Sequence, residues 1–292
     1  MEETRIKRKN LILVVWICVG VLFLSLAAVA VLELRAAGKQ DPQAQEAPAP
    51  ETTQQRQEQE PEETQTEKTG WDLPENPYCP EDFSYENGYL VCHAGESLLG
   101  VDVSAWQEEI DWMQVKAAGI DFAMIRFAWR GSTEGGLYED EWARENYTGA
   151  KEAGLQVGGY VFSQAITPEE AVEEAEFLLD MIADWELELP IVYDWEFAGG
   201  NRTEGIDAET VTACAVAFCD TIAAAGYEAM VYFSPVADYE INLEALKAHK
   251  FWLALWSELE YDYRVNMWQY TDSGSVPGIN TPVDMNLLFL YE

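Results

Sequence analysis

Asp194 and Glu196 close the stretch Leu189-Pro190-Ile191-Val192-Tyr193-Asp194-Trp195-Glu196. The run before them is apolar and β-branched, opens on proline and reads as a buried strand. Residues i and i+2 of a strand face the same way. The two carboxyl groups therefore project together, with Cα atoms roughly 6.5 Å apart at a rise of about 3.3 Å per residue. Charged groups at the end of an apolar strand are costly to bury unless they are paired or put to use. The use open to two acids on one face is proton transfer. Two solvated acids at a strand end would give the same eight residues, and the rest of the chain has to separate the two readings.

Further acids end other apolar runs: Asp102 in Gly100-Val101-Asp102-Val103-Ser104 and Asp284 in Val283-Asp284-Met285-Asn286. Aromatic residues recur at the same level, namely Tyr160, Tyr193, Tyr232, Trp252, Trp256, Trp268 and Tyr270. Each alone is more often a core residue than a sugar platform. Carboxylates ringed by aromatic faces suit glycoside cleavage, in which one acid protonates the leaving oxygen and another supports the cationic sugar. His93 and His249 lie far apart, no His/Cys cluster has zinc spacing and no serine elbow is present. No cofactor and no metal are implied. Arg126, at the end of another apolar run, is either a counter-charge to the acids or a rim arginine.

These residues need a scaffold that brings strand ends together. Three segments repeat one arrangement, a helix-like run, Ala-Gly, a large apolar residue and then a strand: Ala118-Gly119-Ile120, Ala153-Gly154-Leu155 and Ala225-Gly226-Tyr227. Glycine just past a helix end takes the left-handed conformation that other residues resist. Thr167-Pro168-Glu169-Glu170 marks a helix start with an N-cap and an early proline. Strands are predicted at 99–103, 121–127, 155–162, 189–195, 228–233, 251–255, 265–270 and 283–288. Helices are predicted near 111–118, 139–153, 168–184 and 207–225, with a shorter one near 242–248. The alternation points to a parallel β/α barrel with its chemistry at the C-terminal strand ends. The last third has too little chain between strands for full helices, so the outer ring should be incomplete.

The remainder of the chain reads as appendages. Residues 1–10 carry Arg5, Lys7, Arg8 and Lys9, and 11–32 is an uncharged apolar run long enough to span a bilayer. The basic start keeps the N-terminus cytoplasmic, so a single-pass anchor with the remaining chain outside is expected; a long cleaved signal peptide is the alternative. Residues 33–70, rich in Gln, Glu, Pro and Thr, read as a disordered linker. Residues 71–98 form a small segment in which Asn87-Gly88 signals a hairpin, and Cys79 and Cys92 bracket it as a disulfide or as two free thiols. Cys214 and Cys219 are about 140° apart around a helix and read as packed residues. A net charge of −36 argues against nucleic acid, while 48% hydrophobic residues argue against disorder throughout. Nothing here bears on the oligomeric state.

Gly100-Val101-Asp102-Val103-Ser104-Ala105-Trp106-Gln107 followed by Ile110-Asp111-Trp112 resembles the opening of the family-25 glycoside hydrolases, the Chalaropsis-type lysozymes or N-acetylmuramidases. Gly159-Tyr160-Val161-Phe162, Tyr193-Asp194-Trp195-Glu196, Phe251-Trp252-Leu253-Ala254, Trp268-Gln269-Tyr270 and Val276-Pro277-Gly278-Ile279 with Val283-Asp284-Met285-Asn286 follow in the family's order. The resemblance covers 99–290, within a barrel domain at 99–292. It implies an irregular, flattened β/α barrel of the TIM type that cuts peptidoglycan between N-acetylmuramic acid and N-acetylglucosamine. It makes Glu196 the general acid, Asp194 the group that steadies the substrate's N-acetyl group or the developing charge, and Asp102 and Asp284 supporting carboxylates. Tyr160, Tyr232, Trp256 and Trp268 become candidate sugar-binding residues. Many members have histidine after the tyrosine matched by Tyr160, where this chain has Val161. A chitinase-like hydrolase and a non-catalytic glycan-binding protein on the same fold are the competing expectations.

Overall fold

The computed structural model describes residues 70–197, 202–237 and 240–291. The expected membrane span at 11–32 and all but the last residue of the linker lie outside them. Among the described residues no helix is long and apolar enough to cross a membrane.

The strands are β1 (Phe83–Glu86), β2 (Tyr89–Cys92), β3 (Ser97–Val103), β4 (Phe122–Arg130), β5 (Leu137–Glu139), β6 (Gln156–Ser163), β7 (Ile191–Trp195), β8 (Ala229–Phe233), β9 (Lys250–Ala254), β10 (Met267–Gly274) and β11 (Val283–Phe289). Around them lie α1 (Trp112–Ala117), α2 (Ala143–Glu152), α3 (Pro168–Met181) and α4 (Ala208–Ala224), with a 3-10 turn at Leu243–Leu246 in place of the short fifth helix. β3, β4, β6, β7, β8, β9, β10 and β11 pair in that order, and β11 returns to β3, so eight strands close a barrel. Its outer ring is incomplete, as the short connections after β8 require.

Local chemistry produces these elements. Thr167 Oγ1 accepts from the Glu170 amide to start α3, and Asp207 Oδ1 does the same for Thr210 at the head of α4. Gly119, Gly154 and Gly226 all have positive φ at the helix ends, as the repeated Ala-Gly segments predict. Alternation then sorts each strand. Met124 in β4, Val192 in β7, Met230 in β8, Trp252 in β9 and Met267 in β10 fill the barrel interior. Their neighbours Ile125, Ile191, Tyr193 and Val231 belong to the layer between barrel and helices, where Tyr193 meets Phe218 of α4 at 5.1 Å between ring centres. Cys214 and Cys219 are buried, free thiols in α4, as the packed reading expects.

The layer between barrel and helices is tight at Gly159, where the chain has no side chain to fit beside Phe127. A Cβ built on Gly159 of β6 would run into the Phe127 ring. We expect Gly159→Ala to destabilise the barrel by about 1–3 kcal/mol through overpacking, a fall of several degrees in Tm measured by calorimetry. A Tm within a degree of the parent would show that Phe127 can move aside.

Three expectations are corrected. The barrel is not all parallel, because β11 runs antiparallel to both β10 and β3. Only residues 275–282 separate β10 from β11, and a parallel return needs a crossover of about a dozen residues or more. Next, Cys79 and Cys92 are free thiols, not a disulfide. Phe83 lies opposite Cys92 in the hairpin, which leaves Cys79 beyond the ladder, where its Sγ donates to Asp82 Oδ2 at 3.3 Å. Finally, Trp268 points out of the barrel. It packs on Phe83 of the hairpin at 5.1 Å and donates from Nε1 to the Leu255 carbonyl at 2.8 Å, so it is a core residue and not a sugar contact.

Candidate active site

Asp102 sits at the end of β3, Asp194 at the end of β7, and Glu196 one residue past it. Asp284 comes from the start of β11. Because β11 is antiparallel, its start lies at the same level as the C-terminal ends of the parallel strands, directly across the ladder from Asp102. The four carboxyl groups line one cavity of about 350 Å³ with Tyr160, Tyr232, Trp252, Arg126 and Gln269. The sequence-predicted acids are thus brought together. Tyr160 and Tyr232 line the same cavity. Trp256, 57% exposed, reaches it through Nε1, which donates to Gln269 Oε1 at 3.0 Å. Trp268 is the candidate the fold removes.

Supporting side chains hold each acid. Asp102 Oδ2 accepts from Asn286 Nδ2 at 2.7 Å and from Gln269 Nε2 at 3.0 Å. The same Gln269 nitrogen donates to Asp284 Oδ2 at 3.2 Å, and Tyr232 donates its hydroxyl to Gln269 Oε1 at 3.1 Å. Trp252 Nε1 donates to Asn286 Oδ1 at 2.8 Å. Behind Glu196, Gln164 Nε2 donates to the Glu196 carbonyl at 2.8 Å, while the Gln164 carbonyl accepts from Arg202. Trp195 Nε1 is tied to the Ala165 carbonyl at 2.9 Å. Glu196 thus leaves β7 from a main chain fixed on both sides.

Asp194 differs from the other acids. It is buried, and its Oδ1 accepts no hydrogen bond from the described residues. Such an oxygen is costly unless a ligand supplies a donor.

The charges are weakly compensated. Arg126 lines the cavity, but its Nε and a terminal nitrogen both lie 2.8 Å from Asp140 Oδ2. That ion pair offsets its charge, so it serves the acids only at a distance. Burial pushes Asp102 up to about 6 against the donors from Asn286 and Gln269. Burial and the Asp102 charge push Asp284 up to about 8. Asp194 is raised well above the carboxylate range by burial and by Glu196 beside it. Glu196 is raised by burial first and by the Asp102 charge second. A site built this way keeps protons on carboxyl groups at pH values where exposed acids have lost them, as general acid catalysis requires. Among the described residues no group of three or more His, Cys, Asp or Glu is arranged to hold a metal ion.

Sequence reasoning missed Gln269, Asn286 and Trp106 as site residues, while Trp252, one of the aromatics read at the level of the acids, does line the cavity. The signal was present, because Asn286 follows Asp284 by two and shares its face, and Gln269 sits between two outward aromatics. Trp106, 77% exposed, stands at the cavity rim in the 3-10 turn after β3.

A model of the glycosyl hydrolases of family 25 matches residues 101–279. The autolytic lysozyme of Clostridium acetobutylicum is 30% identical over 192 residues, covering 65% of this chain and 55% of the other. Lysozyme M1 of Streptomyces globisporus is 28% identical over 201 residues, covering 64% and 66%. This chain therefore spans little more than half the length of the Clostridium relative. Among solved structures, a family 25 glycosyl hydrolase from Bacillus anthracis aligns with a TM-score of 0.57 at 24% identity, covering 72% of this chain and 96% of the other. The modular autolysin LytC of Streptococcus pneumoniae aligns with a TM-score of 0.60 at 23% identity, covering 70% and 51%.

Proposed function

The chain belongs to the glycosyl hydrolases of family 25, and from that premise we propose that it is a membrane-anchored cell-wall hydrolase. It cleaves the β-1,4 bond between N-acetylmuramic acid and N-acetylglucosamine in peptidoglycan. The observation that carries this reading is the buried, unpartnered Oδ1 of Asp194 next to Glu196 in a cavity ringed by tyrosine and tryptophan. A substrate acetamido N–H is the donor that this oxygen lacks.

In the reaction Glu196 gives its proton to the glycosidic oxygen as the bond to the anomeric carbon breaks. The substrate's acetamido oxygen, oriented by Asp194 through the N–H, closes on that carbon. Water then opens the ring intermediate and returns a proton to Glu196. Two displacements give net retention. Trp106 at the cavity rim, and Trp256, exposed and bonded to the cavity residue Gln269, offer flat faces for sugar rings.

The proposal is tested by incubating the full chain with purified peptidoglycan and, separately, with chitin. Clearing of peptidoglycan alone supports it. Hydrolysis of chitin supports the chitinase-like reading, and binding without cleavage supports the glycan-binding one.

A pH dependence follows from the Glu196 environment. Its proton must be present, and burial raises its affinity for that proton. The alkaline limb of kcat/KM should therefore lie above the ordinary glutamate value of about 4.3. A pH–rate profile reads this directly, and an alkaline limb at about 4.3 would remove Glu196 from the acid role.

The anchor rests on the sequence of residues 1–32. Protease added to intact cells should cut within 33–70 and release the barrel; release from lysed cells alone would reverse the orientation.

A further inference from the structure

Two indole N–H groups decide which way the amides beside Asp102 face. An indole nitrogen only donates. Trp252 Nε1 is bound to Asn286 Oδ1, and Trp256 Nε1 to Gln269 Oε1, which the Tyr232 hydroxyl also approaches as a donor. Both amide oxygens are thereby committed, and both NH2 groups turn to the acids. They converge on one atom, Asp102 Oδ2, at 2.7 and 3.0 Å. An oxygen that takes two N–H donors is an acceptor and carries no proton. Across the ladder, Asp284 is the register partner of Asp102, and the one Gln269 nitrogen donates to an oxygen of each, at 3.0 Å to Asp102 and 3.2 Å to Asp284. Two carboxyl groups held this close on one donor in a buried site repel each other when both are ionised, so one of them keeps a proton.

We propose that Asp102 and Asp284 form a one-proton pair, ionised at Asp102 and protonated at Asp284. Asn286 and Gln269 are the positioning residues that fix which member is charged, and Trp252 and Trp256 lock those two amides in place.

The surroundings favour this arrangement. Asp194 and Glu196 face the pair from β7 and the turn after it, Asp272 from β10, Tyr160 from β6 and Tyr232 from β8. Arg126 of β4 is held by Asp140. Four or five carboxylates cannot all ionise in one buried space. The higher affinity of Asp284 for its proton, about 8 against about 6 for Asp102, runs the same way. The consequence reaches the catalytic acid, because the Asp102 charge helps keep Glu196 protonated. That last step rests on the role given to Glu196 above; the pair itself does not.

The test is a carboxyl-carbon NMR titration of the full chain labelled at aspartate. Asp102 should lose its proton at lower pH than Asp284. In Asp102→Asn the Asp284 midpoint should fall by about one pH unit or more, because the neighbouring charge is gone. In Gln269→Met the Asp102 midpoint should rise, because its ionised form has lost a donor; a purely structural role for Gln269 would leave it unmoved. The parent alone decides the matter if a variant fails to fold. Asp284 deprotonating before Asp102 in the parent, or an Asp284 midpoint unchanged by Asp102→Asn, would overturn the pair. A chain that shows the paired titration but clears no peptidoglycan would instead overturn the proposed function and leave the pair standing.

Discussion

Glu196→Gln is expected to lower kcat on peptidoglycan by about 10²–10⁴-fold, the usual contribution of a positioned general acid. Glutamine keeps the length and planarity of the side chain but holds no proton to give. Its main chain stays where the Gln164 amide and the Trp195 indole hold it, so KM should change little. Folding should not suffer. Burial raises the Glu196 pKa in the folded state, which means its ionised form costs stability at neutral pH, and the neutral amide removes that cost. Glu186→Gln, on the surface and outside the cavity, serves as the comparison and should keep parental activity. Steady-state kinetics on soluble glycan fragments separates the outcomes. A Glu196→Gln protein working at the parental rate would end the assignment of the acid.

Asp194→Asn is the second large effect, about 10²–10³-fold on kcat by analogy with the loss of one group that stabilises developing charge. The unpartnered Oδ1 is the atom at stake. Asparagine can offer an oxygen there, but it cannot ionise as the acetamido group gains positive charge, so it supports that charge poorly. The same substitution should raise stability at high pH. The folded-state pKa of Asp194 lies well above the unfolded value, so its contribution to stability is fully present below about pH 4 and is lost as pH rises through the folded value. The Tm difference between Asp194→Asn and the parent should therefore grow in favour of the variant from pH 4 to pH 8. Lower activity with a higher Tm marks a group kept for chemistry at a cost to the fold. Activity lost together with Tm at every pH would make Asp194 a structural acid.

Much of this site could be read along the chain because alternation holds along β7. Once β7 is placed with Val192 inward, Asp194 must follow it into the cavity and Tyr193 must face α4. The positive-φ glycines after α1, α2 and α4 made helix ends legible from single residues. Direction was harder. Asp284 looked like the end of a parallel strand, and only the eight-residue connection before β11 forces it to run the other way. Trp268 was misread because its role depends on a hairpin far earlier in the chain, which gives its outward face a partner in Phe83. Cys79 and Cys92 suited a disulfide by spacing alone, but the register that sets Phe83 opposite Cys92 was not visible from the sequence. Gln269 and Asn286 escaped notice because neutral amides show no chemistry until the acids and indoles around them are in place.

The most direct measurement of the central claim is the identity of the new reducing ends after the full chain digests purified peptidoglycan. Digested glycan is reduced with borohydride, hydrolysed and analysed for sugar alcohols. Cleavage after N-acetylmuramic acid predicts muramitol rising with time, and none above background with Glu196→Gln. Glucosaminitol in its place, or an equal rise with the variant, would contradict the account.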